Sequence, residues 1–149
     1  MLEWFMMADK RFIVELGTGI DLHGQDVTKA ATRAVRDAIS RSCLCGLVEI
    51  LGLEDLNEME VEVLVAVPEP EEVNGEEVLK AIPFGRKRLR VVRGGLSAPG
   101  LYLKELGGES GTIVVANAAV TVRVKGVMAG DANSDIPQAT LGGDDAARL

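Results

Sequence analysis

Residues 10–45, KRFIVELGTGIDLHGQDVTKAATRAVRDAISRSCLC, change their hydrophobic period once, and that change decides the fold. Over KRFIVEL the apolar residues alternate, with Phe12, Val14 and Leu16 on one face, the pattern of a short strand. Gly17-Thr18-Gly19 reads as its end. From Asp26 to about Cys45 the spacing turns helical: Val27, Ala30, Ala31, Ala34, Val35, Ala38, Ile39 and Cys43 form an apolar stripe at i, i+3, i+4. Asp26 is a good N-cap residue type, and its charge suits the positive end of the helix dipole. Gly46 is a natural terminator.

Beyond this unit the chain alternates again. In MEVEVLVAVP (59–68), Met59, Val61, Val63, Val65 and Val67 face inward, while Leu64 and Ala66 make the other face apolar too, as in the middle of a covered sheet. Pro68 and Pro70 end that strand. Asn74 and Glu77 have the spacing of a capping box, opening a short helix to about Ile82. Arg88 to Val92 reads as a third strand, Gly94 to Gly100 as a loop of unusual backbone angles, and TIVVANAAVTVRV (112–124) as a long fourth strand. The order β-α-β-α-β-β predicts a single α/β (α+β) domain over residues 10–127. It has one four-stranded sheet with helices on one face, and its first two crossovers are long enough to join parallel strands. The other face of the last strand carries Ile113, Val115, Asn117, Ala119, Thr121 and Arg123. That set is too apolar for open water, so a homo-oligomer is expected in which sheets meet. Residues 1–9 are expected to be a flexible leader and residues 128–149 a flexible tail.

Composition narrows the function classes. At 149 residues the chain can bury about 68–70% of its unfolded surface, enough to fold without disulfides or metal. Aromatic residues make up only 3%, and Trp4 and Phe5 lie in the leader, leaving Phe12, Phe84 and Tyr102 for the body. The core must therefore be Val, Leu, Ile and Ala, and the stacking platforms of nucleic-acid and sugar binders are missing. A formal net charge of −7 points away from nucleic acid as well. No apolar run approaches the roughly 18 residues of a membrane span, and the leader has no secretory pattern, so no membrane partner and a cytoplasmic protein are expected. Cys43 and Cys45, about 200° apart on a helix, cannot share a metal and read as buried free thiols. The charges are segregated: Glu54 to Glu77 is acidic without a base, and Lys80 to Arg93 basic without an acid. Mutual pairing, pairing across a subunit boundary, or a solvated mixed surface would each account for that.

The densest polar constellation is Gly17 to Asp26. Gly17, Gly19 and Gly24 allow close backbone approach, and the helix N-terminus after them offers free amides to an anion. His23 is the only histidine of the chain, and histidine exchanges its proton near neutral pH. Asp21 and Asp26 flank it, so His23, Asp21 and Asp26 are the candidate catalytic residues. The alternative is a turn holding polar capping residues. A divalent ion on the same side chains is a further option, and the spacing is not a dinucleotide-binding fingerprint, so no cofactor is indicated. On the helix, Lys29, Arg33, Arg36 and Ser40 form a polar stripe, either solvated or an anion-binding ridge with Arg33 near the loop. Ser97 lacks the strand–turn–helix setting of a nucleophile and is read as lining a pocket. Asn117 interrupts a Val/Ala strand; a buried amide without partners costs about 1–3 kcal/mol, so it satisfies a backbone or holds a ligand.

These residues resemble a known family. GTGIDLHG (17–24), the helix after it, PFG (83–85), GGLSAPGLY (94–102) and VVANAAVTV (114–122) are similar to the Lin-type conserved hypothetical proteins of bacteria. Their hallmark, Gly-x-Gly-x-Asp-x-His-Gly, is met by Gly17, Gly19, Asp21, His23 and Gly24. The resemblance covers about residues 10–125; it implies no activity, but places the family's shared chemistry at Asp21–His23. In shape the expected layers resemble chorismate-mutase-like and ring-opening amidohydrolase architectures, which assemble as trimers with sites between subunits. Two functions follow as expectations. The first is an enzyme, amidohydrolase-like, with acid–base chemistry at Asp21 and His23, Arg33 on an anionic substrate, and Asn117 and Ser97 completing an interface pocket. The second is a non-catalytic oligomer that binds or senses a small anion.

Overall fold

The computed structural model describes residues 10–106 and 111–125. The expected leader (1–9), the expected tail (128–149) and residues 126–127 of the expected domain lie outside these. Eight elements follow in chain order: β1 (Lys10–Asp21), α1 (Val27–Ile39), α2 (Cys45–Glu49), β2 (Glu60–Val67), α3 (Gly75–Leu79), β3 (Arg86–Arg93), β4 (Leu96–Pro99) and β5 (Thr112–Val124). The class is α+β, a single mixed sheet covered by helices on one face. The sheet has five strands rather than four, because Leu96–Pro99, expected as loop, pairs antiparallel with the N-terminal end of β5.

Strand order is β1-β5-β2-β3. β5 runs antiparallel to both β1 and β2, so β1 and β2 are parallel with β5 inserted between them. β2 and β3 are adjacent and parallel. Both expected parallel crossovers therefore form, the first of them split. Where β2 leaves β5 at Ala66, β4 takes up the same edge at Leu96. The chain makes that change at Gly95 (φ 66°), where a Cβ would stand 2.1 Å from Val115 O.

The long helix packs as its stripe predicts: Val27, Ala30, Ala31, Ala34, Val35 and Ala38 are buried. Asp26 caps it by accepting from Lys29 N–H at 3.0 Å. α1 ends at Ile39, earlier than the stripe suggested, so Cys43 lies outside it and both thiols are exposed rather than buried. Asn74 caps α3, accepting from Glu77 N–H at 3.3 Å, and its own N–H reaches Thr28 Oγ1 at 2.9 Å, tying α3 to α1. Apart from Leu47, Met59 and Ile82, the buried apolar core is valine and alanine. All three aromatic residues of the described body are at least a third exposed.

The first strand holds two reversals. It does not stop at Gly17 but runs to Asp21, and its helix-covered face is Glu15, Gly17, Gly19 and Asp21, not Phe12, Val14 and Leu16. The reason is steric. A Cβ on Gly17 would lie 2.2 Å from Ala34 O, and one on Gly19 would lie 2.1 Å from Ala30 O, both inside atomic contact. The glycines let the helix backbone settle directly on the strand. Val14, Leu16 and Ile20 then emerge on the open face, 46%, 67% and 42% exposed. A register shift between Arg11 and Ile13 separates Phe12 from them, and its ring lies against Gly46 of α2.

The segregated charges pair within the chain. Arg88 reaches Glu60 at 3.2 Å and Glu62 at 3.5 Å, Lys125 reaches Glu60 at 3.0 Å, and Arg93 reaches Glu71 at 3.6 Å. The Lys125 ammonium, with Arg88 and Arg86 nearby, holds the Glu60 carboxyl below its ordinary 4.5. Asp37 is likewise held below 3.8, first by the Thr18 N–H and then by Arg41. A carboxyl depressed in the folded state stabilises at pH above the unfolded value and loses that contribution as pH falls through the folded one. Glu72 is raised by Glu69 and has the opposite sign. Urea midpoints should therefore fall between about pH 5 and about pH 3, with a shallower fall in Glu60→Gln. Equal acid limbs in the two proteins would contradict the assignment.

Candidate functional site

The loop after β1 is built around Asp21. The residue is 3% exposed, and Oδ2 accepts from Gly24 N–H at 3.1 Å and Asp26 N–H at 2.9 Å. Oδ1 lies 3.7 Å from both Lys29 Nζ and Arg33 Nη1. A Cβ on Gly24 would stand 3.0 Å from Asp21 Oδ2, a side-chain atom. Gln25 adopts φ 49°, the left-handed turn that returns the chain to Asp26. Asp21 and Asp26 thus have backbone partners, one closing the loop and the other capping α1. Among the described residues no three His, Cys, Asp or Glu side chains come together to hold a metal ion.

His23 is the member of the motif without a structural partner. It is half-buried, and its Nδ1 has no hydrogen-bond partner among the described residues. Gly17 and Gly19, expected to admit a ligand, admit α1 instead. Arg33, expected on an anion, donates through Nη1 to Ile20 O. One turn on, Asp37 accepts from Thr18 N–H at 2.8 Å and is gripped by Arg41. The polar face of α1 therefore covers backbone groups on the free edge of β1. Ser40 Oγ closes the helix end on Asp37 O at 2.8 Å.

The remaining two expected site residues are divided between the faces. Ser97 and Asp21 pair with the same residue, Val114, from opposite edges of β5, so all three belong to the helix-facing register. Asn117 pairs with Thr18 on the open face, is exposed, and accepts from Thr18 Oγ1 at 3.4 Å. Since it is not buried, its amide needs no ligand to satisfy it. Within one chain the expected pocket of Asp21, Ser97 and Asn117 does not assemble.

A different concavity does. Across the open face, Arg11 of β1, Glu62 of β2, Arg88 and Arg90 of β3, and Arg123 of β5 line a groove of about 650 Å³ floored by Leu64 and Ala119. Arg11 and Arg123 stand directly opposite each other, an arrangement of like charges that costs stability in a sheet. Arg123 Nε forms an ion pair with Glu62 at 3.1 Å without hydrogen-bond geometry. Arg11 and Arg90 have no carboxylate partner among the described residues. On a chain of net charge −7 this groove is locally basic. Its arginines come from three strands far apart in sequence, and the only signal in the sequence was alternation within Arg86–Arg93.

Comparison with known proteins gives a family and a fold relative. Residues 11–122 match the model of a family described as a conserved hypothetical protein, Lin0512_fam. A solved structure from Nostoc punctiforme PCC 73102, titled an FtsZ-like protein of unknown function, is 51% identical, with a TM-score of 0.74. The match covers 80% of this chain and 99% of that one. No curated protein matches the chain.

Proposed function

The chain belongs to this Lin0512 family, and from that premise we propose that it is a small-molecule-binding protein that takes an anionic ligand in the arginine groove and works as a homo-oligomer. The observation that carries the reading is the set of four guanidiniums around one glutamate, two of them without a carboxylate partner. Guanidinium forks match carboxylate and phosphate oxygens in pairs, and a bound anion would offset the Arg11–Arg123 repulsion. The rest of the open face supports assembly. Val14, Leu16 and Ile20 are exposed beside the half-buried Val115 and Ala119, and monomeric proteins rarely leave such a patch to water. A second copy on the apolar half would leave the groove at the rim of the contact, a site between subunits as the sequence suggested. A trimer is the expected number.

An acid–base enzyme is the second reading, favoured by the unpartnered Nδ1 of His23 alone. One set of measurements separates the two. Light scattering should return a multiple of the 15.8 kDa chain mass. Inorganic phosphate and citrate should raise the melting temperature of wild type and of His23→Ala, and not that of the Arg11→Ala/Arg90→Ala double variant. An equal response in the double variant sinks the groove; a response lost in His23→Ala moves the site to the loop. A monomer in solution removes the assembly.

A further inference from the structure

Glu15 has no role in anything described so far. It stands on the helix-covered face of β1, opposite Val120, and is 7% exposed, yet its Oε1 has no hydrogen-bond partner among the described residues. It lines a cavity of about 180 Å³ whose other walls are apolar except for Ser42, among them Ile39, Leu44, Met59, Val61, Val122 and Phe84. No other titratable group lines this space. A carboxyl oxygen buried without a hydrogen-bond partner in such surroundings is costly, and native structures hydrogen-bond their buried polar atoms. The space far exceeds the roughly 30 Å³ share of one water, and is similar to cavities of about 150 Å³ that admit benzene. Ser42 and Phe84 on its lining are exposed, so the cavity has a route to solvent.

We infer that this cavity is a second ligand site, distinct from the arginine groove, for a compact apolar molecule bearing one primary amine. The ammonium group would donate to Glu15 Oε1, supplying the charge and the hydrogen bond that the protein omits, while the hydrocarbon body fills the valine-lined space. The two sites select opposite charges: the groove excludes cations, and the cavity excludes anions by repulsion from Glu15.

The test titrates benzylamine, butylamine, benzyl alcohol and benzoate into the full chain, followed by calorimetry and by the ¹³C resonance of the Glu15 carboxyl. Benzylamine should bind and move that resonance, and benzoate should do neither. Glu15→Gln, nearly isosteric and therefore expected to fold, should weaken benzylamine at least tenfold while leaving benzyl alcohol within about threefold. Absence of amine binding at millimolar concentration would overturn the inference. So would equal affinity in Glu15→Gln, which would place the amine on the acidic surface instead.

Discussion

Gly19→Ala is expected to destabilise the domain by at least about 3 kcal/mol, a drop of roughly 10 °C in melting temperature for a chain of this size. The methyl group would arrive 2.1 Å from Ala30 O and 2.2 Å from Ala34 N, and both are helix backbone, which cannot rotate out of the way as a side chain can. The helix must lift from the strand, and lifting it uncovers Ala30 and Ala34, which are fully buried. At Gly24 the added Cβ would meet one carboxylate oxygen at 3.0 Å, a contact that a small rotation relieves, so Gly24→Ala should cost much less. Urea unfolding of the two variants side by side measures the contrast. A Gly19→Ala midpoint close to wild type would mean that the strand–helix contact is looser than its geometry states.

Asp21→Ala should cost roughly 3 kcal/mol by a different route. Removing the carboxylate strands the N–H groups of Gly24 and Asp26 and leaves Lys29 and Arg33 beside each other without a counter-charge. The two cations are about half exposed, so most of the loss belongs to the backbone hydrogen bonds and little to the ion pairs. Asp21→Asn keeps one acceptor and should recover part of the loss. Amide exchange at Gly24 and Asp26 should accelerate in Asp21→Ala while β2 amides keep their protection relative to global stability. Unchanged exchange at both amides would refute the assignment of Asp21 as the residue that closes the loop.

Legibility in the sequence followed the reach of the interaction concerned. β2, the α1 stripe and the Asp26 and Asn74 caps depend on neighbours within a few residues, and all are readable from spacing. The face of β1 was not, because its true partner is the alanine row of a helix that prefers glycine to leucine beneath it. The same two glycines that read as a loop are the docking surface, so the Gly17–Gly24 segment divides by role: Gly17 and Gly19 seat the helix, Asp21 and Gly24 shape the turn, and His23 is left over. β4 was hidden behind Gly94 and Gly95, whose backbone freedom serves a change of strand rather than a loop. The arginine groove and the Glu15 cavity lay furthest from view. Each gathers residues from several strands, and their order in the sheet is not written in any local pattern.

That order has a consequence for how the molecule comes into being. The strand at the centre of the sheet is the last described strand in chain order: β5 lies between β1 and β2 and also holds β4. A ribosome that has released everything up to residue 111 has made both flanking strands and every described helix, but not the element that joins them. The nascent chain cannot close its core stepwise, and loop-closure entropy across some hundred residues must be met in one event when β5 arrives. The core over the described residues therefore closes cooperatively, and only once β5 is present. Until that moment β1 and β2 carry open edges, the interval in which the chain is most exposed to aggregation and to proteolysis.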